Sequence, residues 1–352
     1  MIDFRYHLVS IVAVFLALAI GLVLGATQLQ PLTQSTLDSQ SNAEQHQISS
    51  LRAQNRSLQD QVGSAQQFAQ AAAPRLLPGL LAGQRVVLVT APGADGTTVS
   101  GIVTALGQAG AKVTGQVGLQ GAFFDTGSTT ESSLSGLAHQ LGPVAGVVPG
   151  SSAPAQLASN TKISGQLQAA QVLAAALVTA ATTPSSTVVP GNSGSTDLPA
   201  SQVTAILNGF ANPGYVHVSP AAGTTAIEQA TLAVVVIPAS PPQSGASDPA
   251  NLALISVAYQ LSKASRGVVL AGPLAGSGPG SAIDELNSGS TGVQQQVSSV
   301  DNADREQGQI TVAQALAALV AEQKPGAYGV SPGVVPSPAP TASPAAKLKS
   351  SG

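Results

Sequence analysis

The first 26 residues carry the longest continuous apolar pattern in the chain. From Leu8 to Ala26 the sequence runs through 19 residues without a charge, and Ser10 is the one polar interruption. A helix needs about 20 residues, each rising about 1.5 Å, to cross the hydrocarbon core of a bilayer. The pattern therefore predicts a single transmembrane helix within residues 1–30.

The length of this run favours an uncleaved anchor over a cleaved export signal, whose apolar region typically has about 7–15 residues. Gly25 and Ala26 resemble a weak cleavage site, so a cleaved signal stays open as the alternative. Arg5 precedes the run, and the next lysine or arginine is Arg52. Because basic residues are retained on the cytoplasmic side, this asymmetry predicts a body outside the cytoplasm.

A polar stretch follows, and a narrow apolar stripe at heptad spacing predicts a coiled-coil stalk at residues 31–75. An Asn at an a position favours a parallel two-stranded coil, since its amide pairs with its mate. A single amphipathic helix that folds back on the body is the alternative. Small residues spaced by four in the apolar run allow close helix contact and support the same dimer. The predicted dimer interface comprises Ala13, Ala17, Gly21, Gly25, Ile48, Leu51, Asn55, Leu58 and Val62.

Short continuous apolar runs alternate with helical patterns through residues 76–330. Strands are predicted at 86–90 and 112–119, with further strands beginning at Leu232 and Gly267. Continuous apolar strands are typical of a sheet that is covered on both faces. Their alternation with helices predicts an α/β fold, a Rossmann-like body with a mostly parallel sheet. Helices are predicted from about 251 to 263 and at 309–323.

Segments rich in Pro, Ser and Gly interrupt and end this pattern. Two such segments within residues 144–200 flank a helical stretch, and we interpret them as long loops. From Val330 onward the chain is Pro-rich and lacks apolar periodicity, which predicts a disordered tail. The predicted organisation is a transmembrane anchor at 1–30, a stalk at 31–75, a body at 76–330 and a disordered tail at 331–352.

Composition excludes several kinds of function. The net charge is −3 and the 13 lysines and arginines are scattered, so there is no basic stripe for nucleic acid. The absence of cysteine excludes disulfides, thiolate catalysis and thiolate metal sites. Aromatic residues make up only 3% of the chain, which leaves few rings for stacking on bases or sugars.

Motifs for catalysis or cofactor binding are weak. The glycine-rich stretch "GSGPGS" at 276–281 is the nearest to an anion-binding loop, but we interpret it as an ordinary strand-to-helix loop. The sequence "GVSPG" at 329–333 matches a nucleophile elbow by chance, since it lies in the predicted tail. No catalytic or cofactor-binding residue is predicted, and we expect the protein not to be an enzyme.

Metal ligands are equally sparse. The four histidines His7, His46, His139 and His217 stand at no chelating spacing, and the sole methionine is Met1. Asp301, Asp304 and Glu306 form the densest acidic group, which we interpret as a solvated loop before a helix. The metal-ligating residues therefore stay unknown.

Several segments together resemble one protein family. They are "MIDFRYHLVSIVAVFLALAIGLVLG", the Gln-rich stalk, "VVLVTAPGA", "SSVDNADREQGQITVAQALA" and the closing "PGAYG". These resemble the MctB copper transport family of actinobacteria, over residues 1 to about 330. The resemblance implies a role in copper efflux and homeostasis at the cell envelope, with assignment to the outer membrane. Copper as a cofactor is implied by this resemblance alone.

Two other functions are consistent with the residues. The anchor, the stalk and a body without catalytic motifs suit a dimeric bitopic scaffold in envelope biogenesis or cell division, with an envelope protein as partner. A small-ligand site or enzyme would lie beyond the carboxyl ends of the strands, and a deep polar pocket there would favour it.

Overall fold

A computed structural model describes residues 4–150, 153–180, 197–239 and 248–337, with side chains for all of these except 4–5 and 27–43. The chain divides into two compact units, Met1–Ala65 and Gln66–Gly352. The first helix, α1, spans Phe4–Leu76 without a break. The segments predicted as anchor and stalk therefore belong to one helix. The structure holds a single chain, so pairing of two stalks stays a prediction.

The second unit alternates strands and helices after the end of α1. The strands are β1 (Arg85–Thr90), β2 (Lys112–Leu119), β3 (Val216–Pro220), β4 (Leu232–Val236), β5 (Val268–Ala271), β6 (Ser298–Val300) and β7 (Ala327–Tyr328). The further helices are α2 (Gly96–Gln108), α3 (Ser128–Ala145), α4 (Ala155–Ala158), α5 (Ser164–Leu177), α6 (Ala200–Ala211), α7 (Pro249–Ala264), α8 (Ala282–Asn287) and α9 (Glu306–Glu322). Short 3₁₀ turns lie at Gly121–Phe124, Thr161–Ile163 and Leu274–Gly276.

The strands form one sheet of seven, in the order β3-β2-β1-β4-β5-β6-β7. Strand β3 pairs antiparallel with β2, and every other neighbouring pair is parallel. The prediction of an α/β body with a mostly parallel sheet is confirmed. The unit β1-α2-β2 is the predicted strand, helix and strand, and its second strand has the predicted bounds.

Both faces of the sheet are covered, which explains the continuous apolar runs. Along β1, Val87 and Val89 belong to one buried cluster while Val86 and Leu88 belong to the other. Successive side chains of a strand point to opposite faces, so a strand covered on both sides is apolar at every position. One cluster includes residues of α3, α5, α6, α7 and α8, and the other includes residues of α2 and α9.

The last turns of α1 belong to the body and not to a free stalk. Ala69 and Ala73 are buried in the same cluster as α2 and α9, together with Leu77 just after the helix. Spacings of four place these three side chains on one face of the helix. That face anchors the start of the second unit to its core.

The tail is more ordered at its start than the sequence predicts. Val335 donates its backbone N–H to the carbonyl of Ala327 at 3.0 Å, and its own carbonyl accepts from Gly329 at 2.9 Å. Val335 therefore pairs at the sheet edge, within the segment that the sequence assigns to the tail. The remainder of the predicted tail, 338–352, lies outside the described residues.

Candidate functional site

A cleft of about 340 Å³ opens beyond the carboxyl ends of β1 and β4. These two strands are neighbours, but the chain leaves β1 toward β2 and leaves β4 toward β5, on opposite sides. Such a reversal of strand order is where α/β sheets commonly bind ligands. Apolar side chains dominate the walls, with Pro92, Phe124, Ile237, Pro238 and Leu254 among them.

The polar side chains of this cleft are engaged in local structure. Asp248 accepts from the backbone N–H of Ala250 at 2.9 Å and so caps α7. Asn251 donates to the carbonyl of Gly280 at 2.8 Å. Ser281 accepts from a backbone N–H at the start of α8 at 3.1 Å. The cleft therefore lies at the expected place, and each of these three polar side chains is bonded to a backbone group of the described residues.

The glycine-rich loop at 276–281 also satisfies its own backbone groups. The N–H of Gly280 donates to Asp284 Oδ2 at 3.0 Å, and the N–H of Ser281 donates to the carbonyl of Gly278 at 3.1 Å. A carboxylate of the chain thus stands where an anionic ligand would bind. The arrangement is that of a strand-to-helix loop, in agreement with the sequence interpretation.

Asp301 has a structural role that the sequence did not reveal. It follows β6 and is only 1% exposed. Its Oδ1 accepts from the N–H of Val330 and its Oδ2 from the N–H of Ser331, both at 2.8 Å. Its own N–H donates to the carbonyl of Tyr328 at 3.2 Å. The interpretation of this acidic group as a solvated loop is therefore wrong for Asp301, whose charge is satisfied by backbone amides.

The other two acidic residues lie closer to solvent. Asp304 is exposed, accepts from the N–H of Leu274 at 3.3 Å, and lies 3.8 Å from the Nε of Arg305. Glu306 begins α9, where a carboxylate is favoured by the helix dipole. The three side chains therefore serve different local purposes and do not converge as ligands for a cation.

The histidines are dispersed over three elements. His7 and His46 lie on α1, His139 on α3 and His217 on β3. The ring Nδ1 of His139 is 2.8 Å from the carbonyl of Ser135. Among the residues that the structure describes, no three His, Cys, Asp or Glu side chains are grouped so that they could hold a metal ion.

One helix has the length and composition of a membrane span. It covers Tyr6–Ala26, with a mean hydropathy of 2.9 and no part of its apolar window buried against the rest of the chain. The large apolar side chains of this segment, from Leu8 to Leu24, are exposed. In length and composition this segment is consistent with a helix that crosses a bilayer.

Comparison with known proteins relates these features to a family. The sequence profile of the family described as "Copper transport outer membrane protein, MctB" matches residues 1–338 of the chain. The chain belongs to the MctB family.

Relatives of this MctB-family chain carry the name "Copper transporter MctB". Those from Mycobacterium tuberculosis and Mycobacterium bovis are 28% identical over 336 residues, which is 95% of this chain and 98% of theirs. The relative from Mycobacterium leprae is 29% identical over 334 residues, with the same coverage. The match therefore includes the apolar and the polar parts of α1 together with the body.

The predicted dimer interface of the MctB-family chain lies entirely on α1. Of these residues Gly25 is half-buried and the others are exposed in the single chain. No atom outside the local backbone lies within 4 Å of where a Cβ would stand on Gly21 or Gly25. The surface is therefore accessible for association, and its use as an interface is a proposal taken up below.

Sequence reasoning did not predict that two of the most specific MctB segments are in contact. The block "SVDNAD" supplies Asp301, and the residues after "GAYG" supply the two amides that it binds. Gly329 lies against the carboxylate, and an added Cβ there would overlap Asp301 Oδ1. Burial, and then the charge of Glu322, raise the pKa of the Tyr328 phenol above its usual range.

Proposed function

We propose that this protein is a membrane-anchored component of the cell envelope that contributes to copper homeostasis. The observation that carries the proposal is the family match over residues 1–338, together with relatives named as copper transporters along nearly their whole length. Because the match includes helix and body alike, the role is assigned to the whole chain and not to one module.

The anchor is proposed to be uncleaved and to cross the membrane once. The segment Tyr6–Ala26 is long enough to span, and Arg5 on its amino-terminal side favours a cytoplasmic N-terminus. The body is then outside the cytoplasm. A single long apolar helix is the form in which proteins span an inner membrane, whereas the family description names the outer membrane. Separation of the two membranes, followed by immunoblotting of the full chain, decides between them.

A parallel homodimer is proposed along the polar part of α1. Ile48, Leu51, Leu58 and Val62 are between 40% and 60% exposed, which is unfavourable for apolar side chains that repeat along one stripe. A partner helix would cover them and would pair Asn55 with its mate. The coiled coil is proposed to end near Ala65, because Ala69, the next a position, is buried in the chain's own core together with Ala73.

We also propose that the protein has no enzymatic activity of its own. The cleft at the carboxyl ends of β1 and β4 supports this, because Asp248, Asn251 and Ser281 are engaged by backbone groups. A nucleophile or general base needs a side chain that is positioned toward a substrate atom. The apolar walls suit binding better than chemistry.

Deletion of the gene and measurement of cell-associated copper test the proposed function. We expect more copper per cell and greater copper sensitivity, both restored by the full chain. Unchanged copper content and copper sensitivity would contradict the proposal. The alternative function, a scaffold in envelope biogenesis or cell division, would then be favoured. Titration of the purified full chain with copper shows whether the metal is bound directly.

A further inference from the structure

The cleft beyond the carboxyl ends of β1 and β4 has the size and position of a small-molecule site. Its volume is about 340 Å³, near the lower end of the range of about 300–1,000 Å³ that such sites have. A molecule of one ring and a short chain fits this volume. The cleft lies where the strand order reverses, which is a common place for ligands in α/β sheets.

The apolar walls of the cleft are held in place by the core. Ile237 and Leu254 are only 3% and 4% exposed, so they belong to the packed interior on which the cleft rests. The half-buried ring of Phe124 packs edge-to-face on Phe123, with the two ring centroids 5.4 Å apart. A ring that is already fixed loses little conformational entropy when a ligand packs against it. The walls therefore favour a ligand with a compact apolar body.

Asp248 is the one charged side chain among the described lining residues of the cleft. Its Oδ1 accepts from the N–H of Ala250, which caps α7 and fixes the carboxylate. Its Oδ2 accepts no hydrogen bond from the described residues and is not among their enclosed polar atoms, so it remains accessible. The start of α7 carries only about half a positive charge. The carboxylate therefore attracts a cation and repels an anion.

Asn251 supplies a second acceptor three residues further along the chain. Its Nδ2 donates to the carbonyl of Gly280, so Oδ1 is the atom left for another group. This oxygen also accepts no hydrogen bond from the described residues and is not among their enclosed polar atoms. An ammonium group has three N–H donors and can bind Asp248 and Asn251 together, whereas a hydroxyl group has a single donor. The two oxygens therefore favour an amine over an alcohol.

We propose that the cleft binds a small amphiphilic amine, a molecule with one protonated amino group on a compact apolar body. The ammonium group binds Asp248 Oδ2 and Asn251 Oδ1, and the apolar body packs against Phe124. An alcohol of the same shape leaves the charge of Asp248 without a partner, and a carboxylate is repelled by it. This binding site goes beyond the role in copper homeostasis and does not depend on it.

Three ligands with the same ring and different end groups test the proposal. Phenethylamine, phenethyl alcohol and hydrocinnamate end in an ammonium, a hydroxyl and a carboxylate group. The full chain is titrated calorimetrically in lipid nanodiscs, with empty nanodiscs as the blank, because free detergent would compete for an apolar cleft. We expect saturable binding of the amine with a Kd in the millimolar range or below, binding of the alcohol about tenfold weaker, and no binding of the carboxylate.

Substitutions assign the binding to the cleft. Asp248→Asn retains the cap of α7, because Asn caps helices about as well as Asp does. This variant is expected to bind the amine roughly tenfold more weakly and the alcohol unchanged. Glu322→Gln removes an exposed carboxylate on α9 outside the cleft and is the control, with both ligands bound normally. Phe124→Leu is expected to weaken the binding of amine and alcohol alike, because both pack the same ring against Phe124.

Several results would overturn the proposal. The first is an amine that does not bind at about 10 mM. The second is an alcohol or a carboxylate that binds as tightly as the amine. The third is Asp248→Asn that binds the amine normally or loses both ligands equally, since the carboxylate would then not select the amine. The fourth is Phe124→Leu that binds both ligands as the unaltered chain does.

Discussion

Gly329 lies against the carboxylate of Asp301, so closely that a Cβ at this position would overlap Oδ1. The backbone φ of Gly329 is 139°, a value that residues with a side chain rarely adopt. In this conformation the N–H groups of the next two residues reach the two oxygens of the carboxylate. A buried charge is stable only when it is paired or fully hydrogen-bonded. Asp301 and the segment after β7 therefore stabilise each other.

Removal of the Asp301 carboxylate is expected to destabilise the body. In Asp301→Ala the N–H groups of Val330 and Ser331 lose their acceptors, and hydrogen bonds to a charged group contribute about 1.5–3 kcal/mol each. We expect the free energy of unfolding to fall by roughly 3 kcal/mol, measured by urea titration with circular dichroism. Asp304→Asn is the control because Asp304 is exposed, and it is expected to change the free energy by less than about 0.5 kcal/mol. Equal stability of both variants would contradict this role of Asp301.

Two helical glycines provide a matched test of packing at the start of α9. A Cβ on Gly308 would overlap the backbone carbonyl of Asn302, whereas a Cβ on Gly136 in α3 meets no atom within 4 Å. Gly308→Ala is expected to destabilise by about 1–3 kcal/mol, because a rigid backbone atom must move. Gly136→Ala is expected to stabilise by up to about 1 kcal/mol through helix propensity. The same urea titration measures both, and a stable Gly308→Ala variant would refute the close packing.

The pH dependence of stability follows from the cap of α2. Asp95 Oδ2 accepts from the backbone N–H of Thr98 at 2.8 Å, and this bond is the first cause that lowers the pKa of Asp95 below its ordinary 3.8. A lowered pKa stabilises the fold above the unfolded value, and the stabilisation is lost as pH falls through the folded value. Asn is also a good cap, so Asp95→Asn removes the charge and keeps the hydrogen bond.

We therefore expect the wild-type protein to be more stable than Asp95→Asn above pH 3.8 and equally stable once Asp95 is protonated. The carboxyl groups of Asp125 and Glu228 also have lowered pKa values, but they are present in both proteins and cancel in the comparison. Unfolding free energies measured across the acid range check this. A difference between the two proteins that does not shrink toward low pH would contradict it.

The parts of the fold that the sequence predicts are those with a strong local pattern. Strand β1 and its neighbours β4 and β5 are apolar at nearly every position because both faces are covered. Strand β3 was missed because it lies at the sheet edge, where only Val216 is fully buried. Strand β6 was missed because it is short and its buried serines resemble a loop. Ser298 accepts from the N–H of Gly326, and Ser299 donates to Asn287.

The candidate sites depend on contacts between distant segments, which local patterns do not reveal. The amides that bind Asp301 are 29 and 30 residues further along the chain. The position of the cleft was predictable from topology, since strand order reverses beside β1. Its apolar character was not, because it depends on which polar side chains are engaged by the backbone.

The histidines of the body are expected not to contribute to copper tolerance. His139 and His217 lie on different elements, and neither belongs to a group of three ligand-type side chains within the described residues. A deletion strain complemented with His139→Ala, His217→Ala or both is expected to contain as much copper as one complemented with the unaltered chain. Immunoblots control for protein level. Copper accumulation with either variant at equal protein level would identify a ligand and contradict this expectation.

Dimerisation through the membrane helix can be tested at two glycines, because a larger side chain at either position causes no steric overlap within one chain. No atom outside the local backbone lies within 4 Å of an added Cβ on Gly21 or Gly25, so we expect Gly21→Ile with Gly25→Ile to leave the single helix intact. Bulky side chains would prevent close approach of a second helix along the stripe of small residues. We expect the double variant to dimerise roughly tenfold more weakly in detergent, a change of about 1.4 kcal/mol. Leu22→Ile, at an exposed neighbouring position, is the control and should dimerise normally. Sedimentation equilibrium measures both, and undiminished association of the double variant would confine any dimer to the stalk around Asn55.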